Sequence, residues 1–204
     1  ESALPAARAA ALRLLQRRNE LTPDVLLQAL QAEDPQVQRQ AVLVGAESSP
    51  TPQFTADVAR LGQMTDHAAL RFAVALSRPD LGGESAAGDL RGLLDRAPID
   101  PWISQAVATA PPELVNSILT HGETPPAHRA AFEPLLEVAG APAEPQQLGD
   151  ALHSFSDPAS LARLAAGLRR RGKRFADVLP QLPDEPASRV RAWLAASRQQ
   201  AADP

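Results

Sequence analysis

Apolar residues return along this chain at intervals of three and four. They come in short bursts separated by Pro, Gly, Asp and Thr. That period belongs to an α-helix with one buried stripe, and no segment alternates long enough to read as a strand. The first burst, 4–17, is an Ala/Leu/Arg helix. Thr22-Pro23-Asp24 supplies a capping hydroxyl, a Pro suited to the first turn and an acid near the positive helix end, so it opens a helix over about 23–32. Asp34-Pro35 opens its partner over about 35–47, and the connection is short enough to make the two antiparallel. The same logic predicts helices over about 52–62 and 66–77, 84–96 and 100–110, 112–120 and 126–139, and 144–154 and 157–171, with a last one over 187–201. Pro79, Gly82 and Gly83 are expected to break the chain after the second hairpin. Gly140-Ala141-Pro142 should end the helix before it, and 180–186 should be a proline-broken stretch.

Three of these segments repeat one another. DPQVQRQAV (34–42), DHAALRFAV (66–74) and DPWISQAV (100–107) each begin with Asp and end in an Ala-Val pair on an apolar face. The Ala of that pair stands at 41, 73 and 106, spacings of 32 and then 33. A fixed period of this size signals stacked repeats, in which one unit cannot bury its own stripe and neighbours must cover it. The clearest units are 22–48, 51–78 and 84–110, with more divergent pairs at 112–140 and 144–172. The expected fold is all-α: one domain over 1–204, a right-handed α-solenoid of about five to six antiparallel helix pairs, first helices on one face and second helices on the other.

Composition narrows what such an array can do. Aromatics are only 3% of 204 residues, so Ala, Leu and Val must do the packing. The 20 prolines are about twice the usual share and sit mostly between helices. The net charge of −4 provides no global basic field for nucleic acid or an anionic membrane. With no Cys, the chain holds no disulfide, Cys-ligated zinc, iron–sulfur cluster or covalently attached haem. No apolar run approaches the roughly 18 residues that span a bilayer. The chain opens at Glu1 without Met, and no signal-peptide pattern follows. It reads as a fragment of something longer, a processed or engineered start being equally compatible.

The repeat units resemble HEAT repeats of the short kind. LTPDVLLQALQAEDPQVQRQAVLVGAE, DHAALRFAVALS and DPWISQAVATA, followed by LARLAAGLRRRGKR (161–174) and SRVRAWLAASRQQAADP (188–204), resemble in order the helical-repeat region of PVC-type membrane-bound dehydrogenases, also called haem-domain proteins. The resemblance covers roughly 20–204. In that family the region lies between a β-propeller and a c-type cytochrome domain. It therefore implies a spacer or interaction module inside a larger extracytoplasmic redox protein. Neither flank's motifs occur here: without Cys-x-x-Cys-His or a propeller pattern, no haem or quinone residues carry over. Gln38 and Ser104 stand where the family commonly has Arg.

No catalytic, cofactor-binding or metal-binding set emerges. Asp34, Asp66 and Asp100 are expected to cap the second helix of their pairs, and a basic residue a turn later (Arg71, and Arg39 displaced by one position) to pair with the Asp of the adjacent layer. Such a ladder is expected to be incomplete. Trp102 follows Asp100-Pro101 and, like Trp193, is expected to fill space between layers, although either could stack on a base or sugar. The densest basic run is Arg169, Arg170, Arg171, Lys173 and Arg174, either a docking patch for an acidic partner or phosphates, or simply a helix C-terminus capped by Gly172. His67, His121, His128 and His153 lack metal-ligand spacing. Gly83-Glu84-Ser85-Ala86-Ala87-Gly88 is one residue too long for a nucleophile elbow and reads as a helix start. The functional expectation is a non-catalytic scaffold that binds protein, with no cofactor and no membrane segment. Its rival is a HEAT-like nucleic-acid binder or DNA glycosylase-like enzyme, which predicts a basic groove with an exposed Trp. A HEAT-like lyase or chromophore-handling protein has only the generic repeat in its favour.

Overall fold

The computed structural model describes residues 4–48, 50–96, 98–122, 124–141 and 144–202. Among these it is all-helical, with no strand. Pro142, expected to help end a helix, lies outside the described residues. The chain forms two compact units, Glu1–Arg96 and Ala97–Pro204.

The first unit contains α1 (Pro5–Arg17), α2 (Pro23–Leu30), α3 (Pro35–Ala46), α4 (Pro52–Met64), α5 (Ala68–Leu81) and α6 (Ala86–Leu94). Its contacts run in two rows. Helix α3 packs on α1 and α5, while α4 packs on α2 and α6; α2–α3 and α4–α5 are the antiparallel pairs. Local chemistry sets the starts. Thr22 Oγ1 accepts from Val25 N at 3.4 Å and Thr51 Oγ1 from Phe54 N at 3.2 Å, each ahead of a Pro in the first turn. Such caps satisfy N–H groups that the helix itself cannot.

The second unit contains α7 (Pro101–Val107), α8 (Pro112–Thr120), a 3-10 turn at Pro126–His128, α9 (Arg129–Gly140), α10 (Pro145–Ser154), α11 (Pro158–Arg170), α12 (Phe175–Val178), a 3-10 turn at Leu179–Gln181, and α13 (Asp184–Ala202). Helix α9 packs between α7 and α11, α8 packs on α10, and α13 closes over α10 and α11. Phe132 of α9 meets Phe155 at the end of α10 with ring centroids 5.9 Å apart.

The repeated Ala-Val pair is core in every copy. Ala41 and Val42 are buried on α3, Ala73 and Val74 on α5, Ala106 and Val107 on α7. Small residues matter most where helices touch backbone to backbone. A Cβ added at Gly167 of α11 would stand 2.1 Å from the Glu137 carbonyl oxygen of α9, and one at Gly140 would stand 2.4 Å from the Leu164 carbonyl oxygen. Only glycine permits that approach.

Three features differ from the sequence expectation. Helix α5 does not break at Pro79 but continues to Leu81. The reason is Arg78, whose side chain is 1% exposed although it carries a charge. Its guanidinium donates to the Gly82 carbonyl just past the helix, to Ser85 Oγ at 3.0 Å and to Asp89 Oδ2 at 2.7 Å, and Ser85 Oγ itself donates to Asp89 Oδ2 at 3.0 Å. This network holds the α5–α6 turn closed, offsets the hydrogen bond that Pro79 cannot make, and lets the two glycines take positive φ (Gly82 at 65°, Gly83 at 91°). Second, a short helix that the apolar spacing does not predict, α12, stands between Gly172 and the broken stretch, because Phe175 and Val178 have a core to enter. Third, the last helix begins at Asp184 rather than 187, since Pro186 falls in the first turn, where proline is tolerated.

Two outcomes follow for stability. Gly167→Ala gains up to about 1 kcal/mol of helix propensity but forces α9 and α11 apart, so a net loss of about 1–3 kcal/mol is expected in urea unfolding. Gly92→Ala is the control: its new Cβ meets only the flexible end of the exposed Gln63, at 2.6 Å, and should be neutral or stabilising. Asp89→Ala leaves the Arg78 charge buried with only neutral acceptors. It should cost about 2–3 kcal/mol, below the full penalty for a broken buried pair because Asp89 is partly exposed. Replacing both residues, Arg78→Met with Asp89→Leu, should recover much of that loss.

Candidate docking surface

Each aspartate expected to cap a helix has a definite place. Asp34 Oδ1 accepts from Gln36 N at 2.8 Å and Val37 N at 3.3 Å at the start of α3. Asp100 Oδ1 accepts from Trp102 N at 2.9 Å at the start of α7. Asp66 lies one residue outside the cap of α5, which is His67, and is paired instead with Arg96. Arg96 also donates to the carbonyls of Gln63 at 3.0 Å and Thr65 at 2.7 Å, so one guanidinium ties the end of α6 to the α4–α5 turn. Arg71 is buried and donates to the Leu93 carbonyl at 3.2 Å. Arg39 is exposed and forms no ion pair among the described residues. Gln38 donates to the Leu30 carbonyl at 3.1 Å, tying α3 to the end of α2. Ser104 is buried, and its hydroxyl reaches the Asp100 carbonyl at 3.4 Å.

Polar stitching between layers nevertheless exists, built largely from residues that sequence reasoning passed over. Arg13–Glu47 (2.7 Å) joins α1 to the end of α3; Arg129–Asp157 (3.5 Å), Glu133–Arg163 (2.8 Å) and Glu137–Arg170 (2.7 Å) join α9 to α11. With Asp66–Arg96, these pairs span between 28 and 34 residues, which is one repeat period. The signal lay in charge sign at that spacing: a cation one period from an acid, three times over on α9 and α11. Exposed pairs of this kind contribute only about 0.2–1 kcal/mol each. One buried Leu contributes about 1.5–3 kcal/mol, so the pairs fix register while apolar burial supplies stability.

Two carboxyls respond to this stitching. Hydrogen bonds from Arg13 and then Gln16 hold the Glu47 carboxyl below the usual range. For Asp157, burial pushes the carboxyl up, but donation by the Ser160 hydroxyl and N–H, the Arg129 charge and the Ala159 N–H outweigh it, and the net effect is downward.

The basic run sits where α11 ends. The Gly172 N–H donates to the Arg169 carbonyl at 2.9 Å and the Lys173 N–H to the Leu168 carbonyl at 3.0 Å, while Gly172 takes φ 69°. This is a Schellman closure, and it needs a glycine at that position. Arg169, Arg170, Arg171, Lys173 and Arg174 are all exposed. Arg170 is held by Glu137; the other four make no ion pair among the described residues. Arg174 caps α12, its N–H donating to Asp177 Oδ2 at 2.7 Å.

Trp102 corrects the expectation of an interlayer filler: it is 72% exposed. It occupies the second position of α7, whose buried side carries Ile103, Ala106 and Val107, and its side chain falls on the other side. Trp193 is half-buried, edge-on to Phe175 at 5.8 Å. Ser85 is placed at the start of α6 as expected, but its hydroxyl serves the Arg78–Asp89 network rather than a helix N–H. His153 lies 3.4 Å from Glu185 on the surface. Among the described residues no group of three or more His, Asp or Glu is placed to hold a metal, and no helix is long and apolar enough to cross a membrane. In the first unit a cleft of about 490 Å³ has Glu47 as its one charged lining residue, already held by Arg13 and Gln16. In the second unit a cleft of about 220 Å³ beside α7 is lined by Glu133, Glu137 and Arg163.

Comparison with protein-family models, curated proteins and solved structures finds no match to this chain.

The Asp157 cap carries a pH signature. Its lowered folded-state value means that its stabilisation is present above the unfolded carboxylate range, near 3.9, and is lost as pH falls through the lower folded value. Asp157→Ala should cost about 1 kcal/mol at neutral pH. That difference should shrink in acid below about pH 4, read as converging denaturation midpoints.

Proposed function

We propose that this chain is a non-catalytic helical-repeat scaffold, HEAT-like in its layering, that presents an extended surface to other protein domains. The observation that carries the reading is the interlayer stitching at one repeat period. Helices one period apart are joined by backbone contact and ion pairs, so the polar residues that reach across layers are spent on register. The acids in the two clefts are committed in the same way: Glu47 to Arg13, Glu133 to Arg163, Glu137 to Arg170. Of these, Glu47 is held below the usual carboxylate range by Arg13 and Gln16, which disfavours the protonated form a general acid needs.

The order of repeat units, through their resemblance to the PVC-type dehydrogenases, supports a finer proposal. The segment spaces or orients a dehydrogenase domain and a cytochrome domain within an extracytoplasmic redox protein. In a parent carrying both flanks, excising it should slow electron transfer between them or impair assembly. Unchanged transfer and assembly would remove this proposal.

The exposed Trp102 favours a second reading, a nucleic-acid binder or glycosylase-like enzyme that stacks a base. The surroundings argue against it. The cleft beside α7 has two acids to one base, and Arg71, required for a positive groove, is buried.

A thermal-shift series separates these readings. Divalent metals, haem, flavin, nucleotides and oligonucleotides should leave the melting midpoint unchanged at physiological salt. A ligand held at 100-fold over its Kd would add about 2.7 kcal/mol and raise the midpoint by several degrees. A rise of that size with any of them sinks the scaffold reading.

A further inference from the structure

We infer that the turn joining α11 to α12 is a docking point for an acidic polypeptide segment, gripped by Arg171, Lys173 and Arg174 with Arg169 beside them. This rests on the scaffold reading and says where, and with what chemistry, a partner attaches. Many cations elsewhere have carboxylate partners, among them Arg13, Arg60, Arg78, Arg96, Arg129, Arg163 and Arg189, and those without one among the described residues, such as Arg8, Arg17 and Arg39, are scattered singly. What sets this turn apart is clustering: four neighbouring cations stand exposed and without an ion pair among the described residues. Helix capping accounts for Arg169 and Arg170, which lie in the last turn of α11. It does not account for Lys173 and Arg174, which come after Gly172. Arg174 even stands at the N-cap of α12, where an acceptor side chain is favoured and a cation is not. Like charges crowded into one turn raise the energy of the free chain, and an incoming carboxylate run relieves it.

The aromatic residues nearest the patch decide between polyanions. Phe175 is buried and Trp193 is half-buried against it, so neither is a freely exposed platform for a base. Without a stacking platform beside the cations, and with a net charge of −4 on the chain, a short acidic peptide is favoured over single-stranded nucleic acid.

The test uses the full chain and a fluorescent Asp/Glu peptide, with binding read by anisotropy across a salt series. The triple variant Arg171→Gln/Lys173→Gln/Arg174→Gln should weaken binding about tenfold and flatten the salt dependence. A control with the same charge change, Arg8→Gln/Arg17→Gln/Arg39→Gln, removes exposed cations that make no ion pair among the described residues and should stay within about twofold. Equal loss in both variants, no loss in the first, or no binding by the parent chain overturns the proposal. So does an oligonucleotide of equal charge that binds more tightly than the peptide through the same three residues. Unfolding midpoints of both variants, expected to match the parent, exclude misfolding as the cause. Absence of peptide binding, or equal loss in both variants, would leave the scaffold reading standing, because that reading is judged by the ligand series; tighter oligonucleotide binding through these residues would count against both.

Discussion

Short helices do not hold themselves. Here α7 has 7 residues, α2 has 8, and α5 has 14. Isolated helices below about 12–15 residues are marginal in water even with good formers. Each must therefore be held by the helix beside it and by the one a repeat period away. That requirement explains the distribution of residue types. Alanine, valine and leucine fill most of the interlayer surfaces, with Phe54, Phe132, Phe155 and Phe175 as the large buried exceptions. Where α9 and α11 come closest, even an alanine methyl is too much, and Gly140 and Gly167 face the partner's backbone.

Polar interactions have a separate job. Leucine and alanine surfaces slide past one another at little cost, so apolar burial alone does not set register. The ion pairs at repeat spacing do: Glu133–Arg163 and Glu137–Arg170 lock α9 to α11, and Arg13–Glu47 and Asp66–Arg96 lock elements of the first unit. The buried Arg78 is a more demanding version of the same device. A charge at 1% exposure is tolerated only because an aspartate, a hydroxyl and a carbonyl surround it, and that enclosure fixes a turn containing two glycines.

Against this background of matched charge, the α11–α12 turn stands apart. Elsewhere cations are paired or scattered singly; there four of them face solvent together. On the scaffold reading proposed above, this turn is the polar surface left for a partner.

The sequence alone determined where many of the helices begin and what period they keep. Asp34-Pro35, Asp100-Pro101 and Asp157-Pro158 are local signals: a capping carboxylate and a fixed φ act within three residues and need no tertiary partner. The Ala-Val pair at 41, 73 and 106 was legible as core because burial and period were written in the same positions. The basic run was legible as exposed, since Gly172 marks a helix end. Tertiary structure decided the rest. Pro79 did not end its helix because Arg78 found acceptors seven and eleven residues on. Trp102 faces solvent because the buried side of α7 was already taken by Ile103, Ala106 and Val107. Residues 175–178 became helix because Phe175 and Val178 could enter a core. In each case the deciding energy comes from groups far apart in the chain, and periodicity along one helix says which face is apolar but not which neighbour will cover it.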